Sequence, residues 1–134
     1  MKTKIITLTI VFFVIVAFAQ SQTRQSNTVQ QKLVSENTIY QLFPTQNFWT
    51  FIKLDTRNGK MWQVHFTVSD DGLRGEFILN ILPLVTKDKE VNGRFTLYPT
   101  ENIYNFLLLD QIDGKIYQVQ WSMESENRGV IPIE

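Results

Sequence analysis

Cysteine is absent from the 134-residue chain, and histidine occurs once, at position 65. Without cysteine the chain forms no disulfide bond, offers no sulfur for a lipid anchor, and cannot build a metal site rich in cysteine and histidine. The fold therefore depends on its hydrophobic core alone.

Common catalytic patterns are also missing. The six glycines form neither a phosphate-binding loop nor the G-x-S-x-G context of a hydrolase serine. Asp70 and Asp71 suggest calcium, but the alternating ligands and distal glutamate of an EF-hand loop are lacking. Distant carboxylates such as Glu76 and Asp110 would serve a glycosidase mechanism only if the fold placed them about 5 to 9.5 Å apart. We predict no enzyme, no cofactor and no metal site.

Charge of one sign is not in excess, since 13 basic residues oppose 13 acidic ones. This balance predicts attraction neither to nucleic acid nor to anionic lipid. We expect the partner to be another protein, and the sequence leaves the oligomeric state open.

A long apolar run occurs at the N-terminus, where it has the features of an export signal. Lys2 and Lys4 precede the apolar residues 5–18, and Ala17-Phe18-Ala19 fits the rule for signal cleavage. The run is shorter than the roughly 20 residues of a membrane-spanning helix. We expect a periplasmic or secreted protein that keeps neither a transmembrane segment nor a lipid anchor.

The rest of the chain divides into a polar segment and a repeated one. Residues 20–37 are rich in glutamine and predict a flexible leader, with folding onto a partner as the alternative. Residues 38–134 predict a single β domain made of the repeats 38–85 and 93–134. From Leu42 to Val64, the first repeat matches residues 55 positions later without a gap.

Each repeat contains the signature of a β-hairpin. Asp-x-x-Asn-Gly in the first copy and Asp-x-x-Asp-Gly in the second separate two apolar runs. Glycine provides the positive φ of such a turn, and the leading aspartate accepts hydrogen bonds from the turn's own amides. The predicted turn residues are Asp55, Asn58, Gly59, Asp110, Asp113 and Gly114.

The strand after each turn alternates between two kinds of side chain, as a half-buried strand does. In the first copy one face carries Trp62, Val64, Phe66 and Val68. The other, predicted to be wet, carries Met61, Gln63, His65 and Thr67. Because Gln120 replaces His65 in the second copy, we expect His65 to face solvent rather than to bind a metal or catalyse a reaction.

The strand before each turn is apolar on both faces, which predicts a central strand that is covered on both sides or is covered by a partner. A helix capped by Thr100 is the rival for residues 99–110, but the aromatic content and the lack of a polar face favour a strand. About four antiparallel strands per repeat predict an all-β sandwich or flattened barrel with pseudo-twofold symmetry. The repeat length also suits a propeller blade, although two blades cannot close a ring.

Aromatic residues are the remaining candidates for function. Most recur between the copies and therefore suit core packing, although a ligand cavity or an apolar patch for a partner remains open. Lys53 is matched by Leu108, and we favour an end of the face that is open to water over a functional lysine. The possible binding face comprises Trp49, Lys53, Trp62, Tyr104, Tyr117 and Trp121.

The motif Pro-Thr-x-Asn, followed by Leu-Asp-x-x-x-Gly-Lys and Trp/Tyr-Gln-Val, resembles a repeat of small exported bacterial proteins of unknown function. The resemblance covers residues 38–123. It implies export and a β-rich repeat but carries over no catalytic residues.

These features predict an exported, non-enzymatic binding module, of which a periplasmic immunity protein or an inhibitor of a toxin or hydrolase is one version. The alternatives are a carrier with an aromatic interior for an apolar small molecule and an envelope subunit that assembles through strand edges.

Overall fold

A computed structural model describes residues 38–134. The predicted export signal (1–19) and leader (20–37) lie outside the described residues. The strands are β1 (Tyr40–Pro44), β2 (Thr50–Asp55), β3 (Met61–His65), β4 (Gly75–Asn80), β5 (Phe95–Pro99), β6 (Asn105–Asp110), β7 (Ile116–Gln120) and β8 (Gly129–Ile133). Two single 3₁₀ turns, Lys87–Lys89 and Ser125–Asn127, lie in connecting segments.

The strands form two antiparallel sheets of four, with neighbours in sequence also neighbours in space. Sheet 1 contains β1 to β4 and sheet 2 contains β5 to β8. The all-β prediction is confirmed, and because the sheets do not join at their edges the arrangement is a sandwich rather than a barrel. Residues 105–110 form the strand β6 and not a helix.

The Pro-Thr-x-Asn motif builds the loop that joins the first two strands of each repeat. The Thr45 hydroxyl accepts a hydrogen bond from the backbone N–H of Asn47 (3.1 Å) and donates one to the Thr50 carbonyl (2.9 Å). The same bonds recur around Thr100 and Asn102. The side-chain oxygens of Asn47 and Asn102 also accept from the backbone N–H two residues later, at 2.9 Å in both copies. This loop chemistry explains why threonine and asparagine are retained in both copies.

The two sheets pack against each other through faces that are not equivalent. The face of sheet 1 turned to sheet 2 carries Thr50, Ile52, Leu54, Met61, Gln63 and His65, all of them buried. The face of sheet 2 turned to sheet 1 carries Phe95, Leu97, Phe106, Leu108, Val119 and Trp121, also buried. With the repeat offset of 55 residues, each residue of this second set corresponds to a residue on the outer face of sheet 1, the face turned away from sheet 2.

This packing corrects the predicted pseudo-twofold symmetry. A twofold axis brings equivalent faces together, because each copy must contact the other through the same patch. Here the inner face of sheet 2 is equivalent to the outer face of sheet 1, and it packs on the inner face of sheet 1. Non-equivalent faces therefore meet, and the two copies are stacked in the same direction, front to back.

The predicted wet face of β3 is a second correction. Met61, Gln63 and His65 are the buried side chains of this strand, whereas Trp62 and Val64 are only half-buried on the outer face. In β7 the apolar set is the inward one, as expected, since Val119 is buried. Alternation separates two faces, but the neighbouring sheet determines which of them is covered.

Candidate functional site

The outer face of sheet 1, called here the front face, is a half-exposed apolar surface. Strand register places on it Tyr40, Leu42, Phe51, Lys53, Trp62, Val64, Glu76 and Ile78. Leu42 and Ile78 each expose more than half of their surface, at 56% and 54%. Contiguous apolar surface on a folded domain makes the front face a candidate site of interaction.

A charged pair lies in the middle of the front face. The Lys53 ammonium forms an ion pair with Glu76 and lies 4.6 Å from the ring centroid of Trp62. Tyr40 lies on the other side of the ammonium, at 5.7 Å. The aromatic rings attract the cation and shield it, so Lys53 is held against the surface and does not simply extend into water.

Trp49 and Phe66 extend the front face at the end near the first Pro-Thr-x-Asn loop. Their rings meet edge to face with centroids 5.4 Å apart. The counterparts in the second repeat, Tyr104 and Trp121, are also 5.4 Å apart. Trp121 is buried and donates its indole N–H to the Ile103 carbonyl at 2.9 Å, whereas Phe66 is exposed.

The outer face of sheet 2, called here the back face, is the second apolar surface. Register places on it Thr96, Tyr98, Leu107, Leu109, Ile116, Gln118, Ile131 and Ile133. Three of its apolar residues are the counterparts of residues that sheet 1 buries completely. Ile116 corresponds to Met61. Leu107 corresponds to Ile52, and Leu109 corresponds to Leu54.

The six aromatic and lysine residues predicted as one binding face do not lie together. Lys53 and Trp62 are on the front face, with Trp49 at its end. Tyr117 and Trp121 face the space between the sheets, and Tyr104 lies in the second loop beside Trp121. The sequence missed Leu42 and Ile78, and only the register of β1 and β4 on β2 and β3 reveals them.

His65 is buried rather than exposed to solvent. Its Nδ1 lies 3.1 Å from the Thr50 hydroxyl, and its Nε2 lies 2.9 Å from the amide nitrogen of Gln63. That amide also donates to the Ser122 carbonyl at 2.9 Å, which fixes its orientation. His65 therefore accepts at Nε2 and carries its proton on Nδ1.

Burial lowers the pKa of His65 below its ordinary value of 6.5, and the positive charge of Arg128 adds to this effect. The imidazole is neutral and its two nitrogens are both engaged within the protein. This geometry assigns His65 to the packing between the sheets.

The predicted turn residues form two closely similar turns. Gly59 and Gly114 adopt positive φ values of 79° and 72°. In the second turn Asp110 accepts hydrogen bonds from Arg94 at 3.0 and 2.8 Å. Arg94 also reaches Asp113 at 2.7 Å. The aspartates and glycines thus hold the hairpins, and in the first repeat Asp55 is the strand partner of Tyr40 at the end of the front face.

The two leading aspartates are both buried and both paired with arginine, but the arginines come from different places. Arg57 in the first turn binds Asp55, whereas Arg94 at the start of β5 binds Asp110. Burial is the largest single influence on Asp110 and would raise its pKa. The hydrogen bonds from Arg94 and from the backbone amides of Asp113 and Ile112, together with the charge of Arg94, outweigh burial and hold the pKa below 3.8. The pKa of Asp55 is lowered in the same way, by Arg57 acting against burial.

Glu76 and Asp110, the carboxylates considered for a glycosidase mechanism, belong to different ion pairs. Glu76 binds Lys53 and Asp110 binds Arg94, so the two carboxylates have separate partners in separate sheets. Between residues 38 and 134, no three histidine or acidic side chains are close enough to hold a metal ion. No helix in this range has the length and hydropathy needed to cross a membrane.

No family model, curated protein or solved structure matches this chain.

Proposed function

We propose that this chain is an exported, non-enzymatic binding module that engages a protein partner through the front face. The observation that carries the proposal is the cluster of Tyr40, Lys53 and Trp62 on an apolar, half-exposed sheet. Export is supported by the N-terminal signal pattern, and an immunity or inhibitor protein remains one version of the function.

The composition of the front face suits a protein partner. Binding hot spots are enriched in tryptophan and tyrosine that become desolvated at the centre of an interface. Trp62 lies on the third strand of four, near the middle of the sheet, and the Lys53–Glu76 pair supplies polar contacts beside it. Central strands also give the surface a rigid backbone, which reduces the entropy cost of binding.

The space between the sheets favours a binding surface over a carrier. Ile52, Leu54 and Leu108 are fully buried there, and Phe95 is 1% exposed. Side chains thus occupy the region where a carrier would hold its apolar ligand.

The experiment is a pull-down in which Trp62→Ser and Lys53→Glu variants are compared with the native protein, using envelope and secreted extracts. Ile112→Ser, an exposed residue in the second turn, is the matched control. A partner captured at near-equal stoichiometry by the native and control proteins, but lost by both front-face variants, is the expected result. Capture that is unaffected by either front-face variant would refute the proposal.

A further inference from the structure

The front face is uncovered, but it resembles the face of sheet 2 that is buried between the two sheets. Leu42, Phe51 and Val64 on the front face correspond to Leu97, Phe106 and Val119, all buried against sheet 1. The front face therefore has nearly the shape and composition of a surface that this chain already covers.

The back face, in turn, resembles the inner face of sheet 1, which covers sheet 2. Its Leu107, Leu109 and Gln118 correspond to Ile52, Leu54 and Gln63, the side chains with which sheet 1 covers sheet 2. One molecule thus carries, on opposite sides, the two surfaces that meet at its centre.

We infer that a second copy of this chain stacks its back face on the front face, repeating the internal packing from one molecule to the next. This inference rests on the proposed function, because it names the partner of the front face. Since the surfaces in contact differ, the interface is heterologous, and repeated stacking gives rings or open filaments instead of closed pairs.

The internal polar contacts support the register of this stacking. The Ser122 carbonyl accepts from Arg128 at 2.8 Å and, across the sheets, from Gln63 at 2.9 Å. In the first repeat the corresponding carbonyl, of Thr67, accepts from Arg74 at 3.2 Å. Gln118 is the counterpart of Gln63. Stacking in the inferred register therefore brings Gln118 of one copy to the Thr67 carbonyl of the next.

The Lys53–Glu76 pair is the main chemical difference between the interface of the two sheets and the inferred interface between two copies. Strand pairing matches Lys53 with Leu108 and Glu76 with Val130, so the front face holds an ion pair where the internal interface has two aliphatic side chains. Covering this pair removes two charges from water, which is costly. The pair therefore weakens self-association and raises the protein concentration at which it occurs.

The test uses protein expressed from the full-length sequence, purified in its processed form and measured by sedimentation velocity over a range of concentrations. Replacing the pair by its counterparts, Lys53→Leu with Glu76→Val, is expected to lower the concentration of half-assembly by about tenfold, because the apolar pair costs less to cover than the ion pair. Ile112→Val, an exposed change in the second turn, is the control and should not shift it.

Two single variants test the head-to-tail geometry. Leu42→Glu disables the front face and Leu107→Glu disables the back face, so each alone should remain monomeric. A mixture of the two should form one-to-one dimers, because each variant retains the face that the other lacks. A mixture that stays monomeric at concentrations where the native protein assembles would overturn the stacking model.

Failure of self-association is distinguishable from failure of the proposed function. If the native protein and the Lys53→Leu, Glu76→Val variant both stay monomeric at every concentration, the inference is wrong. The pull-down, however, can still find a different protein that needs Trp62.

Discussion

Lys53 and Leu108 occupy the same position in the two repeats, yet Leu108 is completely buried between the sheets and Lys53 lies on the front face beside Trp62. The difference follows from the front-to-back packing, which covers this face in the second repeat only. A lysine at position 108 would place an unpaired charge in the core, whereas at position 53 it is paired with Glu76.

Truncation of these two side chains should therefore have unequal effects on stability. Leu108→Ala is expected to lower the free energy of unfolding by about 2 to 5 kcal/mol, because it leaves a cavity in a packed core. Lys53→Ala should cost no more than about 1 kcal/mol, as is usual for partly exposed ion pairs. Urea denaturation measures both values, and similar losses for the two variants would argue against the assigned packing.

Titration of His65 tests its burial directly. Because the chain contains one histidine, a single imidazole signal follows pH in an NMR titration. Its pKa should lie below 6.5, since burial and Arg128 disfavour the charged form. A midpoint at or above 6.5 would place the side chain in solvent.

The same group should make stability depend on pH. The unfolded state takes up a proton on His65 at higher pH than the folded state does. Neutral His65 therefore contributes fully to the free energy of unfolding above pH 6.5. This contribution is lost as the pH falls toward the lower pKa that His65 has in the folded state. His65→Gln, which copies Gln120 of the second repeat, should flatten the slope of unfolding free energy between pH 7 and 5. An unchanged slope would contradict this assignment.

Removal of Arg94 should destabilise the fold in a way that depends on pH. Arg94→Met leaves the buried Asp110 carboxylate without its cation and should cost on the order of 3 kcal/mol at pH 7. The cost should shrink at acidic pH, where Asp110 of the variant becomes protonated. Arg57→Met is the matched control, with a smaller expected loss because Arg57 is 28% exposed. Chemical denaturation at pH 7 and at pH 4 measures the loss of unfolding free energy at each pH. An equal loss at the two pH values would contradict the prediction.

The two hairpin glycines offer a comparison at matched backbone geometry. Alanine at either position must adopt a left-handed conformation, at a cost of about 1 to 2 kcal/mol. A Cβ at position 59 would also lie 2.7 Å from the Leu84 side chain, whereas position 114 is open. Gly59→Ala should therefore lower the melting temperature more than Gly114→Ala, and the reverse order would contradict this packing.

Much of the local structure could be predicted from the sequence. The duplicated Asp-x-x-Asn/Asp-Gly and Pro-Thr-x-Asn motifs define turns through contacts within a few residues, such as those of Thr45 and Asn47. Local contacts of this kind are the same in both copies, so the hairpins and the eight strands followed from the repeat.

The relation between the sheets could not be predicted, because it depends on contacts between distant residues. The repeat gives both sheets similar faces, and sequence alone does not say which face of each is covered. His65 illustrates the consequence, since a polar residue on a polar-looking face became buried against Ser122 through Gln63. For the same reason the predicted binding face was divided between the front face and the core.

The central claim is that equivalent strands of the two repeats expose opposite faces, which leaves Trp62 accessible and Trp121 covered. Acrylamide quenching of fluorescence in single-tryptophan variants tests it, at a protein concentration low enough to keep the chain monomeric. Each removed tryptophan is replaced by its counterpart from the other repeat, as in Trp49→Tyr, Trp62→Tyr and Trp121→Phe. The account predicts efficient quenching of Trp62 and weak quenching of Trp121. Equal quenching of the two, or better protection of Trp62, would contradict it.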